Sequence, residues 1–110
     1  MEVSKLEDYK GGWFVGNFEP TAYKTDGFEV CYKHHTKGDA WDTHYHKVGT
    51  EINVLVEGSM TIQGRKLSTG DVFVIHPWEI ADPVFLEDCT VLIVKTPSVP
   101  GDKYPIKHNI

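Results

Sequence analysis

The chain has 110 residues, 40% of them apolar, and sixteen acidic side chains against eleven basic ones give a net charge of −5. That length suits one domain of about 100–150 residues, the apolar share is too high for a disordered chain, and the negative balance argues against general nucleic-acid binding. No apolar run approaches the roughly 20 residues of a membrane span, no cationic amphipathic stretch suggests a membrane surface, and the opening MEVSKLEDYKGG lacks the basic-then-apolar order of a secretory signal.

Taken in chain order, residues 4–10 suit one helical turn, with Ser4 as its cap and Glu7 three positions on. Residues 28–36 alternate as a half-buried strand does, with Phe28, Val30, Tyr32, His34 and Thr36 on one face and Glu29, Cys31, Lys33, His35 and Lys37 on the other. The first set is the more apolar, so it is expected to face the core. His34 is then either a pocket group or a core histidine bonded to backbone. Two short strand-like runs, 52–56 and 60–63, flank the turn signal Gly58-Ser59, and Gly64-Arg65 suggests a tight hairpin into 66–68. Gly70-Asp71 opens Val72-Phe73-Val74-Ile75, an unbroken apolar run expected to be buried on both faces. A last strand spans 90–94, and the tail from Ser98 is expected to lie across the surface. No segment carries a sustained helical period, which leaves an all-β barrel or sandwich in a single domain, 1–110. Cys31 and Cys89 form no CxxC pair and read as reduced core thiols of a cytoplasmic protein, with a disulfide between them left open.

His44 and His46 stand two apart, so in a strand both imidazoles leave the same face. Lys47-Val48-Gly49-Thr50 suits a hairpin loop that would set His46 opposite Glu51, where paired Cβ atoms lie about 4.5–5.5 Å apart. Two imidazoles and a carboxylate on one point are a donor set for a divalent metal ion, Fe, Mn, Ni, Co or Zn, with positions left for water or substrate. Asn53 shares the parity of Glu51 and should sit one layer deeper. Trp41, Tyr45 and Trp78 are placed near the mouth, where aromatic rings either stack on a flat ligand such as a sugar or form a dimer seam. His35 and His108 are expected to be solvated, and Asp39 and Asp42 to be loop groups.

The stretch Gly38-Asp39-Ala40-Trp41-Asp42-Thr43-His44-Tyr45-His46-Lys47-Val48-Gly49-Thr50-Glu51, continuing to Gly58, resembles the first motif of the cupin superfamily at every fixed position. Gly70-Asp71, the apolar run and Pro77 resemble the start of the second motif. The resemblance implies a cupin-type double-stranded β-helix, a jelly-roll barrel, with His44, His46 and Glu51 as metal ligands. The second motif departs from the pattern: Ala81 stands where cupins place a third ligating histidine, and His76 and Trp78 replace a proline and a glycine. His76 is the candidate additional ligand, with Glu79 and Asp82 as other substitutes. The pocket-lining candidates are His34, Asn53, Tyr45 and Trp78.

The resemblance fixes no reaction. One expectation is a metal-dependent enzyme on a small polar or sugar-like substrate. An isomerase would need a base, for which His34 or His76 are the candidates, and an oxygenase would need Fe(II) with an open face. The other expectation is a binding cupin that holds a sugar or small acid without turning it over, with a weak or absent metal site. In either case the resemblance to cupins implies a homodimer assembled through sheet packing.

Overall fold

The computed structural model describes residues 1–39 and 41–106. Among them, two single-turn 3-10 helices, Leu6–Asp8 and Lys10–Gly12, precede a run of strands. The first helix is not capped by Ser4, whose hydroxyl pairs with the Tyr9 hydroxyl at 2.6 Å. Instead the Lys5 backbone N–H donates to the Asp8 carboxylate at 3.0 Å, the shorter acid reaching back where Glu7 was expected.

The strands are β1 (Trp13–Gly16), β2 (Tyr23–Lys24), β3 (Glu29–His35), β4 (His44–Tyr45), β5 (Thr50–Glu57), β6 (Ser59–Ile62), β7 (Arg65–Ser68), β8 (Val72–Ile75), β9 (Val84–Phe85), β10 (Cys89–Thr96) and β11 (Tyr104–Pro105). Six of them form one sheet in the order β2-β1-β3-β10-β5-β8, three form a second in the order β7-β6-β9, and β11 pairs with β4. The core lies between the two larger sheets, with Leu55, Ile75, Cys89 and Val91 from one meeting Met60, Ile62 and Phe85 from the other. The β6–β7 hairpin turns on Gln63-Gly64, one residue earlier than expected. Both have positive φ, 50° and 71°, as a two-residue hairpin turn requires.

Register decides which side chains share the interior. Lys95 of β10 pairs with Glu29 of β3 and with Glu51 of β5, which in turn pairs with Ile75 of β8. The next inward row is Cys31, Ile93, Asn53 and Phe73, and the one after it Lys33, Val91 and Leu55. The inner face of β3 is therefore Glu29-Cys31-Lys33-His35, which corrects the expected parity: His34 is exposed, and its ring bonds the Thr90 hydroxyl at 2.7 Å on the outer face. The reason is that this interior is partly polar, so hydropathy alone selects the wrong side. His35, expected in solvent, is buried and stacks on Phe85 with ring centroids 4.0 Å apart.

β8 is likewise not buried on both faces. It is the edge of the six-stranded sheet, and Val72 and Val74 are 63% and 44% exposed, while Phe73 and Ile75 turn inward. The tail does more than cross the surface. Ser98 is buried, accepting from the Asn17 N–H at 2.9 Å and donating to the Glu29 carboxylate at 3.0 Å, and Asp102 is buried beside the loop after His46. His108 lies outside the described residues. Cys31 and Cys89 are both free and buried, and burial pushes the Cys31 thiol up to about 12, which makes it inert. No helix among the described residues is long and apolar enough to cross a membrane.

Lys95 and Glu29 form an ion pair at 2.6 Å with both side chains 9% exposed. Removing one partner of such a pair strands the other charge in the interior, at a cost of about 3–5 kcal/mol. Lys95→Met should therefore lower unfolding stability by that order in a urea titration of the chelator-treated protein, and Lys95→Met/Glu29→Leu should recover most of it. Equal losses in both variants would show that the pair is not the stabilising feature.

Candidate metal centre

His44 lies in β4, His46 just beyond it, and Glu51 at the start of β5. One ligand atom from each falls within 4.8 Å of the others, and both histidines are buried. The geometry differs from the expected hairpin, since β4 pairs with β11 and bridges Ala81, and β5 pairs with β8 and β10. His46 and Glu51 thus meet across two sheets, with Nδ1 3.6 Å from Oε2. Hydrogen bonds fix the segment: the His44 N–H donates to the Ala81 carbonyl at 3.0 Å, the Ala81 N–H to the His44 carbonyl at 2.8 Å, and the Trp78 N–H to the His46 carbonyl at 2.7 Å.

The protonation states suit a cation. His44 Nδ1 is 2.8 Å from the Asp42 carbonyl, which only accepts, so Nδ1 carries the proton and Nε2 keeps its lone pair for a ligand. Burial, opposed by that bond, still lowers the His44 pKa. Burial and the nearby Lys95 ammonium lower that of His46 to about 4. Both imidazoles are accordingly neutral at pH 7, the form that binds metal. Burial pushes the Glu51 carboxyl up, while Lys95 and the Asn53 amide favour its ionised form. Beside two neutral imidazoles, the largely buried Glu51 carboxylate shares the Lys95 charge with Glu29, and a divalent ion would supply further positive charge there. The donor set present therefore fits a metal of the imidazole-and-carboxylate type.

Asp102, fifty-five residues from Lys47, holds the loop between His46 and Glu51. Its carboxylate accepts from the backbone N–H of Lys47 at 2.8 Å, of Val48 at 3.2 Å and of Gly49 at 2.8 Å. Burial works against its charge, but these three bonds prevail and hold its pKa below the usual value. Gly49 is required here, because a Cβ at that position would come within 2.9 Å of the Lys95 side chain and 3.3 Å of the Asp102 carboxylate. Local sequence gives no sign of Asp102. Only an acid in the tail, opposite an N–H-rich loop, hints at it.

The three residues open into a cavity of about 640 Å³ whose lining includes Lys33, His35, Trp41, Asn53, Lys95 and Lys103. Asn53 thus lies on the wall, its side-chain amide 3.5 Å from the Phe73 carbonyl. His34, Tyr45, Trp78 and His76 do not line it. Tyr45 stacks between Trp78 and Tyr104 on the outside, with centroids 5.5 and 5.4 Å apart. His76 is exposed, outside the three-residue cluster, with its backbone N–H bonded to Glu79 at 2.7 Å. The strand that precedes it ends at Ile75, and Trp78, at φ 71°, turns the chain away from the interior. Asp39 is more than a loop acid: its carboxylate lies 3.1 Å from His35 Nδ1.

This arrangement of sheets is the double-stranded β-helix, the fold of cupin-domain proteins. Among solved structures the chain is similar to KdgF from Halomonas sp., with 26% identity and a TM-score of 0.62 over 69% of this chain and 74% of that one. A Klebsiella pneumoniae protein with a double-stranded β-helix domain matches 96% of this chain and 92% of its own at a TM-score of 0.70 and 16% identity. Salicylate 1,2-dioxygenase from Pseudoaminobacter salicylatoxidans matches 66% of this chain but only 22% of its own, at 17% identity and a TM-score of 0.58. The last two likenesses establish the fold alone. No protein-family model matches the chain, and no curated protein matches it.

If Asp102 sets the loop as described, Asp102→Ala should weaken metal binding about 10–100-fold, the usual effect of losing a group that orients ligands. Titration with Co(II), followed by visible absorption, reads this directly. Unchanged affinity in a folded variant would leave Asp102 with a purely structural part.

Proposed function

We propose that residues 1–110 form one cupin domain that holds a single divalent metal ion through His44, His46 and Glu51 and uses it on a small polar ligand in the adjoining cavity. The observation that carries this reading is the convergence of two neutral imidazoles and a carboxylate at the wall of a cavity large enough for a small molecule. A metal bound there supplies Lewis acidity toward an oxygen of the ligand. The chain's own side chains do the rest. Asp42 fixes the His44 tautomer, Asp102 fixes the loop between His46 and Glu51, and Met60, Ile62 and Phe73 keep water from the inner wall. His35, which lines the cavity and whose Nδ1 lies 3.1 Å from the Asp39 carboxylate, is the group placed to move a proton, in place of His34 and His76.

Ala81 favours a second reading, a binding cupin without turnover. It is buried, bridges His44, and offers a methyl group where a further ligand would sit. Three protein ligands hold a metal less tightly than four and leave it more easily lost. The two free buried cysteines agree with a cytoplasmic protein.

Elemental mass spectrometry of the untagged protein, beside a His44→Ala/His46→Ala variant, separates these readings. Near-stoichiometric metal in the wild type and none in the variant is the expected result. Absence of metal after growth with added iron, manganese, nickel and zinc would leave the binding reading standing.

A homodimer is proposed on the outer face of the six-stranded sheet, where Ile52 pairs with Val74 and Val54 with Val72 in one apolar patch. Light scattering should give twice the 12.5 kDa chain mass, and a Val72→Glu/Val74→Glu variant should give the monomer. A monomeric wild type at micromolar concentration contradicts the dimer.

A further inference from the structure

The cavity carries a charge arrangement that the metal centre does not use. Although the chain has a net charge of −5, lysines 10, 33, 95 and 103 all line this one space. Lys95 is neutralised by Glu29 at 2.6 Å. Neither Lys33 nor Lys103 has an ion-pair partner within 4.0 Å among the described residues. Both nevertheless converge on one ring: the Lys33 ammonium lies 3.9 Å from the Trp41 centroid and the Lys103 ammonium 4.8 Å from it. The two charges are therefore no farther apart than the sum of those distances, a span that one carboxylate bridges directly or through a water. Lys33 is half-buried on the inner face of β3, level with Val91 and Leu55, so its charge is partly desolvated. Burial and the charge of Lys103 both lower its pKa, although Asp39 works the other way. Two like charges drawn to one indole, the first half-buried and the second exposed, give the cavity a cationic end.

The rest of the cavity says what that anion carries. Below the lysines the wall is Met60, Ile62, Phe73, Val91, Ile93 and Phe85, a surface suited to an apolar body. The other acids of the lining are engaged elsewhere. Glu29 is on Lys95, Glu19 is on Lys24 at 3.1 Å, Asp102 is on the loop N–H groups, and Glu51 faces His46.

We propose that this cavity takes a small carboxylic acid anion, its carboxylate held by Lys33 and Lys103 beside Trp41 and its apolar body against the inner wall. The inference deepens the proposed function by naming a substrate class for the same cavity, and it depends on the cavity being a ligand site but not on the metal. Lys33 and Lys103 are binding residues, and Trp41 positions their ammonium groups.

Benzoate, benzamide and inorganic phosphate serve as probes in calorimetric titrations of the protein as purified. The wild type should bind benzoate at least tenfold more tightly than benzamide or phosphate. Lys33→Met/Lys103→Met should erase that preference while leaving benzamide affinity in place. If the double variant does not fold, Lys103→Met, at an exposed position, should still reduce the preference by threefold or more. The His44→Ala/His46→Ala variant should keep the preference, so a protein that proves metal-free can still satisfy the inference. A wild type that does not distinguish benzoate from benzamide, or binds phosphate as well, would overturn it. So would a preference that survives the lysine substitutions but is lost with the histidines, because the metal would then be reading the carboxylate.

Discussion

Lys95 and Glu29, an ion pair 2.6 Å long inside a β-barrel, constrain much of what surrounds them. Charges of this kind are tolerated in an interior only when each is matched and its remaining lone pairs or protons are satisfied. Ser98 donates to Glu29, which ties the tail to β3. Lys95 stands between Glu29 and Glu51 in register, so its charge both pairs the first carboxylate and favours ionisation of the second. The same ammonium disfavours protonation of His46. One lysine on β10 thus links the pairing of β3, β10 and β5 to the state of the proposed ligands.

The tail is the second structural element on which the site depends. Ser98 and Asp102 are both buried, and β11 pairs with the strand that bears His44. The Asp102 carboxylate replaces the ladder bonds that the loop between His46 and Glu51 would have made in a simple hairpin. Residues of low local information therefore fix the geometry of residues of high local information. The cavity then inherits its contrast, apolar on the side of the second sheet and cationic near Trp41, from two elements far apart in sequence.

This explains what could be read before the structure was known. The His-x-His parity and the glycines around it are local facts, and the all-β character follows from turn residues and strand-length apolar runs, so both were legible. The parity of β3 was not. Its more apolar face, Val30 and Tyr32, is the outer one, because the inner face serves a cavity with Glu29, Lys33 and His35 on it. Val72 and Val74 looked like core because their run is apolar throughout, when they occupy the outer face of an edge strand. His34 was assigned to the pocket by the expected parity of β3 and Tyr45 and Trp78 by proximity to the histidines in sequence, whereas the cavity is assembled by pairing across the sheet. Asp102 was illegible for the same reason, since its partners lie more than fifty residues away.

The proposed function requires that His44, His46 and Glu51 share a metal ion. Crystals grown with the metal that co-purifies, or with added Mn(II), can be measured on both sides of the absorption edge of that metal. One strong anomalous peak per chain is expected, within bonding distance of a nitrogen of each histidine and an oxygen of Glu51. A peak elsewhere on the chain, with those three side chains unengaged, would contradict it.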